Sequence, residues 1–131
     1  MEFKKAQSGI EFILILSALL FFVTLFLLAI QGNMQDKISR RENLRVSEIA
    51  LTVQNEIDLA LQSMDGYTRN FEIPKKAGNL DYEINIISGV VYINAGEGKH
   101  AMTLPVAEVV GNINISENTI KKIEGIIFLN P

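Results

Sequence analysis

Cysteine is absent from the 131 residues, so neither a disulfide framework nor a thiolate metal site can form. Histidine occurs once, at His100, beside a glycine-rich turn. Zinc sites draw on several His or Cys ligands, so His100 is expected to be a surface strand residue. Proline is missing from Met1 to Thr68, which removes the strongest helix breaker from the N-terminal half. An excess of positive charge is missing too. The chain carries 12 Lys and Arg against 15 Asp and Glu, a formal −3, which argues against a general nucleic-acid binder. Carboxylates are scattered singly, and no spacing forces two together. Gly96-Glu97-Gly98-Lys99 lacks the full spacing and the Ser/Thr of a phosphate loop and lies between strands, so it is expected to be a hairpin turn. Tyr67, Phe71, Tyr82, Tyr92 and Phe128 are expected in the core or the sheet rather than on a ligand platform. These gaps leave no set of residues for catalysis, a metal or a cofactor, and no enzyme is expected.

Charge is also absent from Phe12 to Ile30. As a helix those nineteen residues span about 28 Å, close to a bilayer hydrocarbon core of about 30 Å. Ser17 and Thr24 are the only hydroxyls in the run, and both can bond back to the helix backbone. Apolar residues occur on every side, leaving no polar face for water. Glu11 sits at the lip of this run. A carboxylate there is costly if it enters lipid and calls for a partner. A cut between Ala6 and Gln7 would supply one. Gln7 would become a new amino terminus and Glu11 the fifth residue of the shortened chain. The small Ala6 suits a peptidase pocket, and Lys4 and Lys5 would hold the leader on the cytoplasmic side.

The run Lys4-Lys5-Ala6-Gln7-Ser8-Gly9-Ile10-Glu11-Phe12, leading straight into the apolar helix, resembles the class III signal peptide of archaeal type IV pilin-like proteins. The resemblance is close over residues 4–30 and covers only the general layout of the rest. It implies that residues 1–6 are a leader removed by a prepilin peptidase at Ala6–Gln7. Residues 7–30 would be a transmembrane helix that becomes a filament core. Loss of Glu2, Lys4 and Lys5 would leave 10 basic against 14 acidic residues, or −4. By the same resemblance, Glu11 pairs with the Gln7 terminus of an adjacent subunit. The expected partners are identical or related subunits, the peptidase and an assembly platform in the membrane. The C-terminal domain would lie outside the cell, first anchored and then on a surface filament. In the apolar helix, Phe12, Leu16, Leu20, Val23 and Leu27 would supply the packing. The basic cluster Lys37, Arg40, Arg41 and Arg45 outnumbers Lys4 and Lys5, and by charge count alone would place the C-terminal part in the cytoplasm. That count favours the alternative of an uncleaved single-pass protein whose β domain binds an envelope partner, like a stator piece of a motility machine.

Gly32 and Asn33 are the weakest helix formers of their region and could loosen or bend it. From 31 to 65 an amphipathic continuation is expected, with Val46, Ile49, Val53, Ile57, Ala60 and Met64 as the buried stripe. Leu44, Leu51, Leu59 and Leu61 broaden or leave it. Glu48, Glu56 and Asp58 mark the wet faces, and Asp65-Gly66 is the stop. The basic cluster fits a solvated face, a headgroup contact or charge pairing between subunits. Residues 66–131 change to a period of two. Strands are expected at 70–73, 80–86, 90–94 and 100–104, with Ser88-Gly89 as a two-residue hairpin turn. Alternation at Val109, Ile113 and Ile115 suggests another, and 123–129 a final, central one. The fold class is therefore α+β, a long helix on one antiparallel sheet of five or six strands. Asn114-Ile115-Ser116 fits the N-glycosylation acceptor pattern, and Asn114 is the expected acceptor if the domain is extracytoplasmic, as the resemblance implies.

Overall fold

The computed structural model describes residues 2–131. A single helix, α1 (Glu2–Gln62), runs through Gly32 and Asn33 without a break. Seven strands follow: β1 (Thr68–Ile73), β2 (Tyr82–Ile87), β3 (Val90–Ala95), β4 (His100–Pro105), β5 (Val109–Val110), β6 (Ser116–Ile123) and β7 (Ile126–Leu129). The fold is α+β, with a helix packed on a largely antiparallel β domain. The chain divides into two compact units, the first ending at Ser39 and the second spanning Arg40–Pro131. The second half of α1 therefore belongs with the strands.

In that unit α1 buries Val46, Ile49, Ala50, Val53, Ile57 and Ala60, all 2 % exposed or less. They recur at helical spacing and meet Phe71, Ile73, Tyr82, Ile84, Val91, Ile93, Ile120, Ile127 and Leu129 from the strands in one core. Burial of each large aliphatic side chain stabilises by about 1.5–3 kcal/mol. Two stripe assignments are corrected. Met64 is 89 % exposed, because α1 ends at Gln62. The Lys122 ammonium donates to the Leu61 and Ser63 carbonyls at 2.7 and 2.8 Å, occupying acceptors at the helix end. Glu56, expected on a wet face, is buried at the margin of the stripe, with the Arg69 guanidinium of β1 at 3.4 Å. Leu44, Leu51, Leu59 and Leu61 leave the stripe and stay exposed.

The strands form two sheets rather than one: β1-β6-β7-β5 and the meander β2-β3-β4. Ser88-Gly89 joins β2 to β3 with positive φ at both residues (50° and 74°), a turn whose twist matches the strands. Glu124-Gly125 joins β6 to β7 in the same way (50° and 79°). Residues expected as one strand, 123–129, are thus the end of β6, a turn and β7. Strand β6 itself went unforeseen, and Ile113 and Ile115 lie in the connection before it. Pro74 follows β1 and Pro105 closes β4, where a missing N–H does least harm. β7 is central, antiparallel to β6 and parallel to the two-residue β5.

Gly111 lets β5 reach β7. At φ 113°, a Cβ there would lie 2.0 Å from the Leu129 carbonyl oxygen. Gly111→Ala is expected to destabilise the β domain by at least about 2 kcal/mol. Denaturant unfolding of the detergent-solubilised chain, followed by the tyrosine circular dichroism, measures this. Tyr82 gives a pH test. Its hydroxyl donates to the Pro74 carbonyl, and burial pushes its pKa up to about 12 from 10.0. The native state thus holds this proton more tightly than the unfolded state. Its stabilising share is complete below pH 10 and lost as pH rises from 10 to about 12. Tyr82→Phe is expected to flatten the alkaline unfolding curve in that window.

Candidate functional site

The first unit is helix whose described residues are all exposed. Phe12, Leu14, Phe22 and Phe26 are each more than 60 % exposed. Nothing in their own unit covers them. A helix apolar on all sides requires lipid or other helices around it. This one is long and apolar enough to cross a membrane. Fifteen of the nineteen residues from Phe12 to Ile30 are Leu, Ile, Phe or Val. At about −0.3 to −0.6 kcal/mol each near a bilayer centre they favour insertion by about 5–9 kcal/mol. A mid-membrane acid costs about 2.5–3.5 kcal/mol on that scale, and Glu11 lies only at the rim. The apolar run therefore wins over its carboxylate. Thr24 donates to the Leu20 carbonyl at 2.8 Å, satisfying its hydroxyl inside the helix as expected.

Ala6, Gln7 and Glu11 all lie in α1, exposed. One helical turn separates Gln7 from Glu11 and puts them on the same face. The Gln7 side-chain amide donates to Glu11 Oε1 at 3.4 Å, a long bond. It is a weak partner for a carboxylate at a bilayer edge. Of the basic cluster, Arg45 pairs with Glu48 at 2.9 Å, with both side chains more than half exposed. Such a pair contributes about 0–1 kcal/mol.

Asn114 is exposed in the connection from β5 to β6. Its backbone is fixed by Asn118, 2 % exposed, whose Oδ1 accepts from the Asn114 N–H and whose Nδ2 donates to the Asn114 carbonyl. Asn118 Oδ1 also accepts from Asn130, which in turn donates to the Asn112 carbonyl and accepts from the Thr119 N–H. This amide network closes residues 112–116 onto β6 and the chain end. No regular pattern announces it in the sequence, because asparagines are ordinary in loops.

His100 is corrected from a surface residue to a buried one, 7 % exposed. Nε2 lies 3.1 Å from Glu42 Oε2, and Nδ1 2.5 Å from Asn43 Oδ1. β4 opens against the first turns of α1 in this unit, so the imidazole bridges helix and meander. Their sequence separation, 57 and 58 residues, hid the contact. Among the described residues no group of three or more His, Cys, Asp or Glu could hold a metal. Gly96 to Lys99 is the β3–β4 hairpin turn, as expected.

No known protein family, curated protein or solved structure matches this chain at a significant level.

His100→Ala would leave the Glu42 carboxylate and the Asn43 amide without their shared partner. A loss of about 1–3 kcal/mol is expected in the unfolding of the β domain. A change below a few tenths would show that the bridge is incidental.

Proposed function

We propose that this chain is a structural subunit of an archaeal type IV pilus-like surface filament, processed at Ala6–Gln7 and polymerised through α1. The observation that carries the reading is an apolar helical stretch with no cover from its own unit and a carboxylate, Glu11, at its lip. The segment 4–12 supplies the rest: basic pair, small residue, Gln7 and the interval to Glu11. In the precursor the helix anchors the chain in the membrane, with the β domain outside. A prepilin peptidase cuts before Gln7, this chain being its substrate and not itself an enzyme. The new ammonium of Gln7 gives a neighbouring Glu11 a far stronger partner than an amide at 3.4 Å. An unpaired charge in an apolar bundle is strongly unfavourable, and a matched pair much less so. The pair therefore sets register, while helix packing supplies the attraction. Lipid and bundle are both oily, so the hydrophobic gain on leaving the membrane is small. Asn114, exposed and held in place, is the glycan acceptor in this reading.

A second reading has one observation in its favour. Lys37, Arg40, Arg41 and Arg45 follow the apolar run and outnumber Lys4 and Lys5. An uncleaved single-pass protein, binding an envelope partner through its β domain, would show that pattern.

Intact mass and N-terminal sequencing of protein from its native membrane separate the two. The filament reading expects a chain that begins at Gln7, with added glycan mass on Asn114 if that site is used. The second expects the full chain. Glu11→Ala is expected to be cut normally and to assemble poorly, measured as the fraction of processed chain recovered in sheared filaments. Normal filaments from this variant would remove the charge pair from the mechanism.

A further inference from the structure

An open cleft of about 540 Å³ lies beside Asn114, inside the β domain. Glu83, Ile84 and Asn85 of β2 form one wall, and Ile113, Asn114 and Ile115 form the other. The volume falls in the range of small-ligand sites, ~300–1,000 Å³. Ile113, 8 % exposed, belongs to the core and anchors its wall from below. Asn118 bonds to the Asn114 N–H and carbonyl, so that wall is held through the backbone of Asn114 and not through its side chain. The opposite wall is a sheet edge, because β2 has β3 on one side only. Which main-chain groups face the cleft follows from the pairing. The Asp81 carbonyl accepts from the Gly96 N–H at 3.3 Å, which makes 81 and 96 a hydrogen-bonded pair. Such pairs alternate along an antiparallel ladder. The main chain of Glu83 and Asn85 is therefore bonded to Asn94 and Tyr92 of β3. The N–H and C=O groups of Tyr82, Ile84 and Ile86 point off the sheet instead. Those of Ile84 open on the cleft, between the exposed side chains of Glu83 and Asn85.

We propose that the glycan on Asn114 folds back into this cleft and covers the free edge of β2. The inference rests on Asn114 being glycosylated, and not on filament assembly. A sugar ring carries hydroxyls around its rim, and the β2 wall offers a carboxylate, an amide and main-chain donors and acceptors to meet them. Ile115, 43 % exposed, gives the ring's C–H face an apolar neighbour. The glycan is tethered at the rim of the cleft, so its effective concentration there is high and individually weak contacts are enough. The cover has a physical use. An unpaired edge is a template for a strand from another chain. Tyr82–Ile87 contains one Tyr and three Ile, residues that favour such pairing. Sugar hydroxyls in place of a neighbouring strand satisfy the edge and keep other chains off it.

Hydrogen exchange of the full chain from its native membrane, read by mass spectrometry, tests this against Asn114→Gln. Peptides covering 82–87 are expected to exchange faster in the variant by about fivefold, the factor for one hydrogen bond of ordinary net strength. Peptides covering β1 and β4 are expected to stay unchanged. Asn85→Ala in the glycosylated chain is expected to speed the same 82–87 peptides, and to add nothing on top of Asn114→Gln. A purely structural role for Asn85 would show equally in both backgrounds and would overturn its place in the contact. A glycosylated chain whose 82–87 peptides exchange as fast as those of Asn114→Gln would show a glycan standing clear in solvent, or an edge covered by another chain, and overturn the inference. An intact mass with no glycan would overturn it too, while a start at Gln7 would leave the filament reading in place. A glycosylated, protected chain that begins at Met1 would do the reverse.

Discussion

The structure depends on one unsatisfied requirement: about five turns of apolar helix whose own unit offers them no cover. In the second unit, by contrast, the hydrophobic demand is met internally. Val46, Val53 and Ile57 on the helix and Ile73, Ile93, Ile120 and Leu129 on the strands are sealed from water. The same element therefore plays two physical roles along its length. One part needs an oily exterior and the other supplies half of an oily interior. A chain divided in this way has its affinity for surroundings concentrated at one end, and its shape and specificity at the other.

Polar side chains fix how the second unit closes. His100 bridges to Glu42 and Asn43, Lys122 takes the carbonyls at the helix end, and Asp65 accepts the Gly125 N–H at 2.8 Å. These contacts tie the strands to both ends of the buried stripe. Each is modest, about 0.5–1.5 kcal/mol for a neutral hydrogen bond and more for a charged one. Their value lies in direction, since a hydrophobic stripe alone permits sliding and a carbonyl aimed at an ammonium does not. Asn118 does the same for the loop before β6, replacing a strand neighbour with a side-chain amide.

Much of this was readable from residue order. Period and proline spacing located α1, the 80–86 alternation gave β2, and Ser88-Gly89 gave the first hairpin, because each rests on contacts between residues close in sequence. The failures have equally local reasons. Glu124 is a poor announcement of a turn that needs positive φ, so β6 and β7 merged into one expected strand. Ser116 to Ile123 alternates weakly, with Asn118 inside where an apolar residue is usual. Glu56 and His100 are buried because charged or polar groups meet them from distant segments, and no local pattern encodes such a meeting. At the N-terminal site, the helix around Ala6, Gln7 and Glu11 was legible from composition. The cleavage and pairing proposed for that helix involve a second protein, and one chain's geometry carries no trace of them.

The strand order carries a consequence for how the protein is made. The meander β2-β3-β4 pairs neighbour with neighbour and can close as it leaves the ribosome. The other sheet cannot. β1 waits for β6, more than forty residues later, and β5 waits for β7. Until residues 116–129 arrive, the stripe on the helix has only part of its lid. The apolar helix, earlier in the chain, is thus complete well before the strands that close this sheet have been made.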